Sequence, residues 1–159
     1  MTGERIDIGP ADGFEVNVWW LTKRFPGSQR LQTFLNQLWR YAGPAGNVRL
    51  SALGTPAVAA ADYCPVVVGY DLAPWRWAGA TPTVIHLGPA GHDWEFRPVL
   101  LDDKTHLTTD ALAAGAWHEL GHYFGVYGSD HVGEGGPDYL DRFRARVELC
   151  KTYRGKRRA

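Results

Sequence analysis

The stretch TDALAAGAWHELGHYFG, residues 109–125, constrains the fold more than any other part of the chain. Ala111, Ala113, Ala114 and Ala116 give it helix-forming residues with little bulk, so a helix there can pack closely on its neighbours. Asp110 stands in the first turn, where a carboxylate favours the positive end of the helix dipole. Gly125 is the residue type that ends a helix in the left-handed conformation. The pattern predicts a helix from Thr109 through His122 that stops at Gly125, with Gly121 allowing a close approach.

The elements ahead of it read more simply. Residues 14–20, FEVNVWW, alternate Phe14, Val16, Val18 and Trp20 against Glu15 and Asn17, the period of a half-buried strand. After the Pro26-Gly27 turn, Ser28 can cap a helix whose apolar residues recur at three and four: Leu31, Phe34, Leu35, Leu38, Trp39 and Ala42. Gly43-Pro44 stops it. Short strands are expected at Val48–Ala52, Pro65–Tyr70 and Thr83–Leu87. Trp94–Leu101 is a further strand, placed at a sheet edge because of Pro98. A last helix starts at Pro137 with Leu140, Phe143, Val147 and Cys150 on one face. This order implies an α+β domain, a mixed sheet carrying the main helices, and 159 residues suffice for one such domain.

Charge is unevenly distributed. The formal net charge is zero, which argues against nucleic acid as a partner. Yet from Arg142 onward eight basic residues face Glu148 alone, leaving the rest of the chain acidic. The basic tail, about residues 151–159, reads either as a hook for nucleic acid or lipid or as a solvated, frayed end. No apolar run is long enough to span a membrane. No signal-peptide core is visible near Met1, so the expected setting is cytoplasmic, or exported with the leader not shown. Cys64 and Cys150 can form one disulfide at most, and two buried thiols is the plainer expectation.

The chemistry lies in the late helix. Positions four apart turn through 400°, so they sit nearly above one another. His118 and His122 can therefore offer two imidazole nitrogens to one ion. Glu119 lies about 100° round the helix, out of reach of the ion but able to reach a water bound to it. Zinc lowers the pKa of such a water, and the carboxylate takes its proton as the water attacks a carbonyl. The bland alternative is a surface helix that happens to carry two histidines and a solvated glutamate.

The run His118-Glu119-Leu120-Gly121-His122-Tyr123-Phe124-Gly125 resembles the zincin metallopeptidase motif. Gly125 resembles the extended metzincin form, H-E-x-x-H-x-x-G-x-x-H/D. The motif covers residues 118–131, and the order of elements is similar back to about residue 14. The resemblance implies a mixed, mostly parallel sheet with an antiparallel edge strand, an active-site helix and a C-terminal helix. It also implies bound Zn2+, Glu119 as general base and acid, and a protein or peptide substrate whose backbone lies along the edge strand. Two departures make this a divergent, minimal zincin: Gly128 occupies the metzincin third-ligand position, and Met1 is the only methionine, so there is no Met-turn.

The third ligand stays open at this level. His131 requires three more residues after Gly125 than the metzincin spacing, and Gly128 gives them room to loop. Asp130 is the near rival, although after Ser129 it is also a good turn former and can instead support a ligand histidine. Glu148 on the last helix, and more weakly Glu134, follow the gluzincin pattern of a later glutamate ligand. Glu148 sits four residues after Arg144, where an exposed ion pair is the plain expectation. Tyr127 and Tyr139 are candidate oxyanion donors or, more plainly, rim or core aromatics, while His86, His92 and His106 show no ligand spacing. The expected activity is zinc-dependent endopeptidase cleavage, since nothing points to a pocket for a chain terminus. The alternative is a non-catalytic metal-binding or interaction module that contacts nucleic acid or a protein through its basic C-terminus.

Overall fold

Phe14, Val16 and Val18 are all buried on one side of a seven-residue strand, β2 (Phe14–Trp20), as their alternation requires. β2 lies inside the sheet and is paired on both edges. The computed structural model describes residues 6–20, 28–52, 64–68, 79–80, 99–101, 108–128 and 130–158. Around β2 run β1 (Ile6–Ile8), α1 (Ser28–Ala42), β3 (Val48–Ala52), β4 (Cys64–Val68), β5 (Gly79–Ala80), β6 (Val99–Leu101), α2 (Thr109–Tyr123) and α3 (Tyr139–Arg158). The strands form one sheet in the order β1-β3-β2-β4-β6-β5. β2 pairs parallel with β3 and β4, and β4 pairs parallel with β6. β1 and β5 run antiparallel at the two ends. The fold is thus α+β with a mixed sheet and helices packed on it, the class expected from the order of elements.

The apolar stripe of α1 is buried as its period demands, with Phe34, Leu35, Leu38 and Ala42 closed from solvent. α1 packs on α2 and against β1 and β3, while α2 packs against β5 and β6. α2 is bounded at its start by Thr108, whose side chain accepts from Ala111 N at 3.1 Å. Its buried face is made of Leu112, Ala113, Ala116, Leu120 and Tyr123. α2 packs on α1 and leaves Trp117, His118 and His122 only half covered. α3 buries Tyr139, Phe143, Val147 and Cys150. Arg144 ties it to the turn that follows α1, its guanidinium donating to the carbonyls of Ala45 at 2.6 Å and Pro44 at 3.2 Å.

Some expectations need correction. The strand expected at the sheet edge over Trp94–Leu101 is described only at Val99–Leu101, and there it is interior, with β4 on one side and β5 on the other. Pro98 itself lies outside the described residues. The last helix starts at Tyr139, two residues after Pro137, and continues through Arg158. Residues 151–158 are therefore the end of α3; lysine and arginine are good helix formers and favour the negative end of the helix dipole. The short strands β1 and β5 were not foreseen, because three and two residues show no period. The strand expected at Thr83–Leu87 lies outside the described residues. Cys150 is a buried thiol, and the side chain of Cys64 lies outside the described residues. Among the described residues no helix is long and apolar enough to cross a membrane.

Candidate metal centre

The expected stop of α2 is realised in full. Gly125 adopts φ +74°, its N–H donates to His122 O at 3.1 Å, and Val126 N donates to Gly121 O at 2.9 Å. This pair of bonds is the Schellman closure, which satisfies two carbonyls at the helix end and reverses the chain. Arg146 on α3 satisfies a third, its Nε donating to Phe124 O at 2.9 Å. The reversed chain then passes beneath α2 through Tyr127 and reaches His131.

There the structure brings His118, His122 and His131 together, with one ligand nitrogen from each lying within 4.8 Å of the others. The three histidines lie close enough to bind a metal ion. His122 Nε2 and His131 Nε2 are 3.1 Å apart. Two nitrogens on a tetrahedral ion with bonds of about 2.0–2.1 Å, the lengths zinc makes, stand about 3.3 Å apart. Three imidazoles at such spacing make a donor set suited to a metal ion. Burial, then the neighbouring His118 and His131, holds the His122 imidazole below its ordinary pKa, against a smaller opposing effect of Glu134. The neutral ring, the form that binds a metal, is favoured there.

The surrounding groups are as specific as the trio. Glu119 is buried at 7% exposure, with Oε2 3.8 Å from His118 Nε2. Glu134 Oε2 lies 2.7 Å from the other ring nitrogen of His118, Nδ1. Tyr127 donates to His118 O, and its hydroxyl is 3.2 Å from Nδ1. Burial raises the pKa of Tyr127 and pushes that of Tyr139 up to about 12, so both phenols keep their protons at neutral pH. Gly121 makes this possible. A Cβ there would sit 2.5 Å from the Tyr127 ring and 2.6 Å from the Tyr139 hydroxyl, so only glycine lets both tyrosines close on α2.

The other expected residues lie elsewhere. Asp130 Oδ1 accepts from Val132 N at 3.1 Å, the turn role open to it, and Asp130 is outside the trio. Glu148 accepts from Asn47 Nδ2 at 2.7 Å and pairs with Lys151 at 3.2 Å, which ties it to the loop before β3. Arg144, expected to pair with Glu148, reaches Asp141 at 3.0 Å. Tyr127 and Tyr139 are buried in the core, the plainer of the two expectations for them, and Tyr127 is engaged behind His118. His86, His92 and His106 lie outside the described residues. Sequence reasoning missed the approach of Glu134 to His118 and the grip of Arg142 on the intervening loop, where Nη2 donates to the carbonyls of Gly133 and Gly135. The available signal was Glu134 standing among Gly133, Gly135 and Gly136, three residues after His131. Comparison of the chain with protein-family models, curated proteins and solved structures finds no match.

Proposed function

We propose that this protein is a zinc-dependent endopeptidase of the zincin type, a divergent minimal relative of the metzincins acting on protein or peptide substrates. The observation that carries the reading is the trio His118, His122 and His131, with the buried carboxylate of Glu119 beside the Nε2 side of His118. The three histidines would hold the ion. Zinc bound there supplies a Lewis acid and brings the pKa of a water toward neutrality. Glu119 accepts the proton of the attacking water and returns it to the leaving amine. Its burial keeps bulk water from competing for that proton. The mostly parallel, zincin-like layout belongs to the same reading. β5, antiparallel at the sheet end and packed against α2, is the strand along which a substrate backbone would lie.

The test is metal content after purification, followed by casein or gelatin cleavage with and without chelator. About one zinc per chain and chelator-sensitive cleavage are expected. Glu119→Gln should keep the metal and lose about 10²–10⁴-fold in turnover, the span of general-base catalysis. A protein that takes up no zinc at neutral pH refutes the reading. Zinc without cleavage leaves the non-catalytic metal module with its basic C-terminal helix in its place.

A further inference from the structure

We propose that Glu134 is a positioning residue of this site: its carboxylate takes the Nδ1–H of His118 and so commits Nε2 of that ring to the ion. This rests on the reading of His118, His122 and His131 as metal ligands. The contact, Glu134 Oε2 to His118 Nδ1 at 2.7 Å, has the length of a charge-assisted hydrogen bond. An ionised carboxylate only accepts, so the proton in that contact belongs to the ring. A neutral imidazole carries one N–H, and with it on Nδ1 the lone pair is on Nε2. Nε2 is also the atom nearer Glu119, at 3.8 Å from its Oε2. Tyr127 backs the arrangement, since it donates to His118 O and its oxygen lies 3.2 Å from Nδ1 and 3.5 Å from Glu134 Oε2.

The geometry also separates this role from that of a ligand. Glu134 approaches the Nδ1 side of the ring, whereas coordination through Nε2 puts the ion on the far side. The same turn carries both contributions: Glu134 N donates to His131 O at 3.1 Å, so His131 and Glu134 are held in one tight turn. Arg142 fixes its exit, with Nη2 on Gly133 O and Gly135 O and Nε 3.4 Å from Asp138. One short segment thus supplies a ligand of its own and aims a ligand on α2.

The experiment measures zinc affinity by competition with a chromogenic chelator for the parent, Glu134→Ala and Glu134→Gln, alongside the His118 ring tautomer by nitrogen-15 NMR of the metal-free proteins. Glu134 is an exposed loop residue, so both variants should fold. Glu134→Ala should lose about 10- to 100-fold in affinity, the usual cost of removing a partner behind a ligand histidine. His118 should pass from the Nδ1–H form to a mixture of tautomers. Glu134→Gln keeps an acceptor oxygen and should fall between the two. Parent-like zinc affinity in Glu134→Ala, or a loss of affinity with the tautomer unchanged, overturns the proposal while leaving the metal site standing. A parent that binds no zinc overturns both.

Discussion

Replacing Gly121 with alanine sets two effects of opposite sign against each other. In an ordinary helix the change is favourable, by about 1 kcal/mol, because glycine has the greater backbone freedom to lose. Here the added Cβ would stand 2.5 and 2.6 Å from two atoms of the Tyr127 ring and 2.6 Å from the Tyr139 hydroxyl. Carbon atoms in good contact are about 3.5–4.0 Å apart, so the ring must retreat by roughly 1 Å. Both tyrosines are buried. Overpacking a filled site costs about 1–3 kcal/mol, and two obstructed rings place this site in the upper half of that range. The net is destabilisation by roughly 1–2 kcal/mol, against about 1 kcal/mol gained from helix propensity. At about 2–4 °C per kcal/mol for a domain of this size, Tm should fall by roughly 2–8 °C. The retreat of Tyr127 also takes its hydroxyl from His118, so zinc affinity should drop by about tenfold. Thermal unfolding in the presence of chelator and zinc competition measure the two effects separately. A Gly121→Ala protein as stable as the parent, or more so, would show that helix propensity wins and that the tyrosines are not packed as described.

His131→Ala should abolish tight zinc binding, whereas Glu148→Ala leaves it nearly unchanged and Asp130→Ala costs at most about 10- to 100-fold; a chelator competition series on the three variants checks this. Arg142→Ala should release the loop that carries His131 and Glu134, lowering zinc affinity by about fivefold for charge-assisted bonds worth about 1 kcal/mol at an exposed site, with faster proteolysis between residues 128 and 138. The Asn47 amide, and behind it Lys151, holds the Glu148 carboxyl below its ordinary pKa of 4.5 despite opposing desolvation. A carboxylate with a depressed folded pKa gives stability that is present above 4.5 and lost as pH falls through the folded value. Asn47→Ala should therefore be less stable than the parent at pH 7 by urea unfolding, with the difference shrinking below pH 4.5.

How legible the fold was depended on how local its signals are. β2 and α1 declare themselves through complete periods, Phe14-Val16-Val18 and Phe34-Leu35-Leu38-Ala42, and the structure buries those residues. The end of α2 at Gly125 was equally legible, because left-handed closure is a preference of one residue type. β1 and β5 had no such signal: their assignment comes from pairing with β3 and β6, a property of the partner strand. The same holds for the edge expected at β6. Pro98 is a local reason for an edge, but whether a neighbour pairs is decided by the fold, and Gly79–Ala80 supplies that neighbour. The continuation of α3 to Arg158 was hidden by its charge, since a basic run is read as solvated whether helical or not.

At the candidate site, the division falls between helix and loop. His118, Glu119 and His122 follow from helical spacing alone, whereas His131 and Glu134 depend on the path of the chain after Gly125. His131 is the only non-glycine with positive φ among the described residues, at 60°. For a side chain with a Cβ that conformation costs about 1–2 kcal/mol, and glycine would avoid the cost. The backbone holds it there by bonds on both sides, His131 N to Gly128 O at 3.0 Å and Glu134 N to His131 O at 3.1 Å. Asp130 adds a third through Val132 N. A loop already rich in glycine thus keeps an imidazole at the one position where glycine would be cheaper. Backbone strain of this kind persists where the side chain does something the fold does not need. His131 Nε2 lies 3.1 Å from that of His122 and can share an ion with it, and on the proposed reading coordination offsets the strain. The same φ that resists sequence-based assignment is what turns the ring of His131 toward α2 and brings Glu134 up behind His118.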